Sequence, residues 1–168
     1  MRYIRRVLFC ASLGLGLPLS ISQAEEARTG VVGTWLLTGY TQQFLDTKEI
    51  VQPFGDHPTG YIQYSAGGHV VDFLAQGDMP IPAASAYTDA ERAAIHRGIL
   101  GAYAGSYRVE GNKITHRVLT SWRPEWNGTD LVRFYDVQGD KLTITTAPTK
   151  FSRTGQDFVA TLTFKRVE

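Results

Sequence analysis

The chain has 168 residues, with 17 Lys and Arg against 16 Asp and Glu and a single cysteine. That length suits one domain and is short for two. The near-even charge leaves no basic stripe to track phosphates, which argues against nucleic-acid binding.

Residues 1–24 read as a secretory signal peptide. Arg2, Arg5 and Arg6 precede the apolar run "VLFCASLGLGLPLSI", and Ser22 and Ala24 place small residues at the −3 and −1 positions of a cleavage site. The run is too short and wrongly flanked for a membrane span, so none is expected in the mature chain. Cleavage after Ala24 leaves 144 residues with 14 Lys and Arg against 16 Asp and Glu, a net of −2. Cys10 leaves with the signal, so the mature protein is expected to hold no disulfide, thiolate nucleophile or Cys-bound metal. A periplasmic or secreted protein is the expectation, with residues 25–30 a flexible leader and 31–168 one folded domain.

From residue 33 onward, short alternating segments are separated by turn residues, the pattern of an all-β barrel or sandwich. The first strand is "GTWLLTGYTQQF", 33–44. Residues 60–65 and 69–75 form a hairpin through Ala66-Gly67-Gly68, with Tyr64 expected opposite His69. The facing of this hairpin stays open: Asp72 is expected to point outward, as a solvated charge, more readily than inward, where it would pair with Arg133 or act as a base with raised pKa. A helix then starts at Thr88, which makes a capping box with Glu91. Its apolar stripe is Ala94, Ile95, Ile99 and Leu100, and Gly101 or Gly105 ends it.

A four-stranded meander follows, with turns at Gly111-Asn112, Asn127-Gly128 and Gly139-Asp140. Two-residue loops fix register. They pair Val109 with Ile114 and Tyr107 with His116 across the first turn. Trp122 pairs with Arg133, Thr120 with Tyr135 and Val118 with Val137 across the second. Val137 pairs with Leu142, and Tyr135 with Ile144, across the third. One face then holds Tyr107, Val109, Ile114, His116, Val118, Thr120, Trp122, Arg133, Tyr135, Leu142 and Ile144. The other is polar, with Leu119, Val132 and Phe134 as exceptions. His116 and Arg133 therefore face inward. Pro124 is expected to shift the far end of the second pairing by one residue. A last strand, 157–167, brings the count to eight. Eight antiparallel strands close into an up-and-down barrel, with the short helix near one mouth.

Gly33-Thr34-Trp35 resembles the Gly-x-Trp signature of lipocalins, in which a basic residue on the last strand packs over the tryptophan; Arg166 is the matching residue. The segments "PTGYIQYSAGGHV", "GAYAGSYRVEGNKITHRV" and "SWRPEWNGTDLVRFYDVQGDKLTI" are similar to the bacterial and fungal lipocalin-like domain family. The resemblance spans about residues 31–167 and implies a calycin-type barrel with a Trp35–Arg166 cation–π stack at its base. It says little of function, although some biosynthetic relatives are thought to guide cyclisation or isomerisation. Val70 stands where that family usually has methionine, so pocket chemistry there does not transfer.

Two readings of the inward polar groups follow. In the first, Tyr64, Tyr107, His116, Trp122, Arg133 and Tyr135 line a pocket for a small hydrophobic or amphipathic molecule with an anionic or carbonyl group. In the second, the protein is a cofactor-independent isomerase or cyclase, with His116 as acid/base, Arg133 as anion stabiliser and Tyr135 as a further catalytic candidate. Against both stands a filled barrel, with Arg133 stacked on Trp122, its head reaching backbone carbonyls, and His116 bonded to Tyr107. No His spacing fits a metal, no Gly-x-Ser-x-Gly elbow is present, and no cofactor is implied. A monomer is expected over a dimer built on Leu119, Val132 and Phe134.

Overall fold

The computed structural model of the chain describes residues 30–79, 81, 87–151 and 154–168. The expected signal peptide and leader residues 25–29 lie outside the described residues. Ten strands are present among the described residues: β1 (Gly33–Phe44), β2 (Ile50–Val51), β3 (Thr59–Tyr64), β4 (His69–Ala75), β5 (Ile99–Glu110), β6 (Lys113–Ser121), β7 (Asp130–Gln138), β8 (Lys141–Thr146), β9 (Thr149–Lys150) and β10 (Asp157–Arg166). Helix α1 (Asp89–Gly98) lies between β4 and β5.

Eight of these strands close an antiparallel up-and-down barrel, the architecture expected. Their order is β1-β3-β4-β5-β6-β7-β8-β10, and β10 pairs back onto β1 along most of its length. Closure leaves no long sheet edge. The two-residue strands β2 and β9 extend β1 and β10. Alternation decides the facing of each strand. On β4, for example, Val70, Asp72 and Leu74 are buried while Val71 and Phe73 are exposed.

The two ends of the barrel differ. The tight hairpins β3–β4, β5–β6 and β7–β8 gather at one end with the start of β1 and the end of β10. The connections 45–58 and 122–129, and the described parts of 76–98 and 147–156, gather at the other. Trp35, Leu37, Ile114, Leu142 and Phe164 fill the hairpin end. The expected seal is there: the Arg166 guanidinium lies 4.0 Å over the Trp35 ring. Arg166 also donates to the carbonyls of Val32 at 2.7 Å and Gly30 at 2.8 Å, and Trp35 Nε1 donates to Val31 at 2.9 Å.

The capping box at Thr88 forms as expected, but α1 ends at Gly98. Ile99 and Leu100 belong to β5, because β4 offers a ladder that satisfies their backbone: Ala75 pairs with Ile99 and Leu74 with Gly101.

The hairpins at Gly111-Asn112 and Gly139-Asp140 hold the expected registers, Tyr107 with His116 and Tyr135 with Ile144. The second does not. Arg133 faces Ile114, and Leu131 faces His116. Pro124–Trp126 forms a 3-10 turn, and Asn127 (φ −58°, ψ 129°) with Gly128 (φ 72°) then makes a type II turn closed by Thr129 N–H donating to Trp126. Asn-Gly thus ends a loop here and does not join two strands directly.

Two further expectations are corrected. Leu119 is a bulge in β6, since Gly105 pairs with Val118 but Ala104 with Thr120. Ser121 therefore shares the face of Tyr103, and Thr120 and Trp122 leave the face of His116. Tyr64 pairs with Val70, not His69, because Ser65 takes the place opposite His69 and closes a three-residue turn.

Candidate functional site

The interior of the barrel carries a polar cluster set in apolar walls. His116, on β6, is 1 % exposed. The Tyr64 hydroxyl lies 3.0 Å from its Nε2, and the Tyr103 hydroxyl 2.6 Å from its Nδ1. A neutral imidazole has one donor and one acceptor, so one phenol gives a proton to the ring and the other takes one. Burial, aided by the charge of Arg133, pushes the His116 pKa down to about 3. His116 is therefore a neutral strut between β3 and β5. Tyr107 packs edge-on to Tyr64 at 5.0 Å and donates its hydroxyl to the Ser65 carbonyl at 2.9 Å.

Asp72, on β4, points inward and is 6 % exposed, against the outward facing preferred from the sequence. The one-residue difference in the β3–β4 turn decides this. Its Oδ1 accepts the Tyr103 backbone N–H at 2.9 Å. Gly101 gives the other oxygen room, since a Cβ there would stand 2.8 Å from Oδ2. Burial pushes the Asp72 pKa up to about 7, opposed by the Tyr103 N–H and by Arg133.

Arg133, on β7, sends its charge into the same space. Its field acts on Tyr40, Tyr64, Asp72, Tyr103 and His116. Nη1 donates to its neighbour's carbonyl, Val132, at 3.0 Å. Among the described residues no carboxylate comes within ion-pairing distance of it. On β1, Gln42 Nε2 donates to the Tyr40 hydroxyl at 2.7 Å, adding two further buried polar groups.

The lipocalin-like domain family has a sequence model that matches residues 32–167. The chain belongs to the lipocalin-like domain family. No curated protein matches it.

In this lipocalin-like barrel, four of the six residues expected at the site come together: Tyr64, Tyr107, His116 and Arg133. The other two stand apart from them. Trp122 packs edge-on against His96 of α1, ring centres 4.3 Å apart, and among the described residues its buried Nε1 has no hydrogen-bond partner. Tyr135 is half-buried near the β5–β6 turn, where its hydroxyl donates to Gly111 at 3.1 Å. Of the filled-barrel alternative, the Arg133 head does reach a backbone carbonyl, that of Val132; the His116 ring nitrogens instead lie against Tyr64 and Tyr103, and the Trp122 ring packs against His96.

Sequence reasoning missed Tyr103, because that reading carried the helix into residues 99–101 and gave residue 103 no facing. The signal was present: Tyr103 and Tyr107 are four apart in an extended segment and so share one face. Trp126, on the 3-10 turn, lies edge-on to Tyr103 at 6.1 Å and covers the cluster from the long-loop end. The barrel's outer wall has an open groove of about 570 Å³ beside Thr38, Gln138 and Lys165, and no member of the cluster lines it. Among the described residues, no group of three His, Cys, Asp or Glu is placed to hold a metal, and no helix is long and apolar enough to cross a membrane.

Proposed function

We propose that this protein binds a small, largely apolar molecule inside the barrel, with Arg133 holding an anionic or carbonyl group on the ligand. Tyr103, Tyr64 and Tyr107 supply aromatic wall, and Asp72 and His116 set the polarity around the handle. One observation carries the reading: a guanidinium directed into a barrel interior, with no carboxylate in ion-pairing distance among the described residues. Arg133 is half-buried and spends Nη1 on the Val132 carbonyl, so the guanidinium keeps donors for an anion, and a ligand supplies one. Family membership supports a ligand-binding barrel of this kind. The basic, apolar and small-residue pattern of residues 1–24 supports export, with the mature chain periplasmic or secreted.

The test is a titration of the purified protein with decanoate and with decanamide, followed by tryptophan fluorescence. Decanoate is expected to bind the more tightly. Arg133→Gln is expected to lose at least tenfold in decanoate affinity and little in decanamide affinity, while Arg133→Lys retains part of the preference. Wild-type decanoate affinity in Arg133→Gln sinks the reading.

A second reading, a cofactor-independent isomerase or cyclase, is favoured by the ionisation of Asp72 near 7. That range lets a carboxyl exchange protons at neutral pH. Asp72 then moves the proton, in place of His116, and Arg133 steadies the enolate or carboxylate. Turnover in that case falls by roughly 10²–10⁴ in Asp72→Asn.

A further inference from the structure

Asp72 and Arg133 share one interior without an ion pair between them. Asp72 lies opposite Ile62 on β3 and Tyr103 on β5, its charge is felt by Tyr64 and Tyr103 and it feels Arg133 on β7, while Tyr107 on β5 and His116 on β6 are the other titratable groups of the same interior. On β1, Tyr40 feels the same arginine. Burial holds Tyr64 and Tyr103 well above the ordinary phenol range, and His116 is held neutral. Arg133 is therefore the cation that steadies the Asp72 carboxylate. The carboxylate's other support, larger than that of Arg133, is the Tyr103 backbone N–H on Oδ1 at 2.9 Å, while a glycine stands beside Oδ2.

We propose that the barrel captures an organic anion together with one proton, the anion pairing with Arg133 and Asp72 taking up the proton. This rests on the reading that Arg133 receives the ligand. The Tyr103 N–H and the Arg133 charge both favour the Asp72 carboxylate; an anion on Arg133 cancels the second of these and adds a repelling charge to the same interior. A buried carboxylate left in that position protonates. The charges balance: Asp72 carboxylate and Arg133 before binding, Arg133 and the ligand anion beside a neutral Asp72 after it, with the proton drawn from solvent. Linkage then requires that raising the pH weaken binding, because the proton is part of what is bound.

The experiment is calorimetry of decanoate binding to the full mature chain, in pairs of buffers that differ in ionisation enthalpy. At about pH 8 the expected uptake approaches one proton per decanoate, and at about pH 5.5 it falls to near zero, because Asp72 is already protonated. Decanoate affinity is expected to be level below about pH 6 and to fall by up to tenfold per pH unit above about pH 7. Asp72→Asn is expected to bind decanoate with no proton uptake and no such fall, and decanamide to bind the wild type without uptake. Decanoate binding by the wild type with no proton uptake at about pH 8, or uptake that persists in Asp72→Asn, overturns this proposal and leaves the Arg133 reading standing. No decanoate binding, or equal binding by Arg133→Gln, overturns both.

Discussion

The Tyr103 hydroxyl lies 2.6 Å from Nδ1 of His116, deep in a barrel where neither group reaches bulk water. Tyr64 occupies the other ring nitrogen at 3.0 Å. A buried polar group left unpaired costs more than its hydrogen bond contributes. His116→Ala orphans two phenols and opens a cavity, so a loss of about 3–5 kcal/mol is expected in urea unfolding. Tyr64→Phe alone is expected to cost about 1–2 kcal/mol. In the His116→Ala background the same change is expected to be neutral or stabilising, since it removes an orphan. Equal cost of Tyr64→Phe in both backgrounds contradicts the bonding described.

Asp72 and His116 give opposite pH dependences. The Asp72 pKa is about 7 in the fold, against roughly 3.9 for a free side chain, so the folded state holds a proton that the unfolded state lacks between those values. Its contribution is full at low pH and is lost as pH rises to about 7. The His116 pKa is about 3 in the fold, against roughly 6.5 when free, so the unfolded state holds the extra proton. Its contribution is full above about 6.5 and is lost as pH falls toward 3. The two slopes cancel from about pH 4 to 6.5. Asp72→Asn is therefore expected to become more stable than wild type, relative to pH 4, by up to about 1.4 kcal/mol per pH unit across that window. Urea midpoints from pH 4 to 8 check this, and parallel profiles for the two proteins refute it.

Arg166 joins the strand ends at the base of the barrel through three contacts: the Trp35 ring and the carbonyls of Val32 and Gly30. Arg166→Ala is expected to lose about 2–4 kcal/mol in thermal unfolding. Arg166→Lys keeps the charge but not the two-pronged donor, and is expected to recover less than half of that. Full recovery by lysine means that charge alone holds the seal.

Two glycines at positive φ separate steric demand from conformational demand. Gly60 (φ 120°) lies so close to β4 that a Cβ there would meet the Phe73 carbonyl oxygen at 1.9 Å. Gly111 (φ 60°) has nothing within 4 Å of such a Cβ. Gly60→Ala is expected to cost more than about 3 kcal/mol and Gly111→Ala about 1 kcal/mol, by chemical denaturation. Similar costs at the two positions contradict the close approach of Gly60 to β4.

The parts of the fold legible in the chain are those decided over a few residues. Gly111-Asn112 and Gly139-Asp140 join strands directly, and their registers follow from turn length. Asn127-Gly128 has the same letters, yet Pro124 starts a 3-10 turn before it and changes the turn type. That sets Arg133 opposite Ile114, eight residues along the partner strand from Trp122, and Arg133 still faces inward because Ile114 lies on the face of His116. Arg133 and His116 thus remained correct as inward groups while the contact expected with Trp122 was lost. Tyr103 escaped because the helix pattern runs smoothly into β5, and only pairing with β4 shows where the helix stops.

The sequence by itself determined an all-β barrel, its main strands and the inward facing of His116 and Arg133, while the Trp35–Arg166 seal followed only from the resemblance to lipocalins. Alternation and short turns are local properties, and they carry that information in neighbouring residues. The tertiary structure alone decided that Asp72 points inward, that Tyr64 and Tyr103 hold His116, and that Trp122 and Tyr135 stand away from the cluster. Those facts depend on one-residue offsets in a turn and a bulge, and on contacts between residues far apart in the chain, which closure of the barrel brings together.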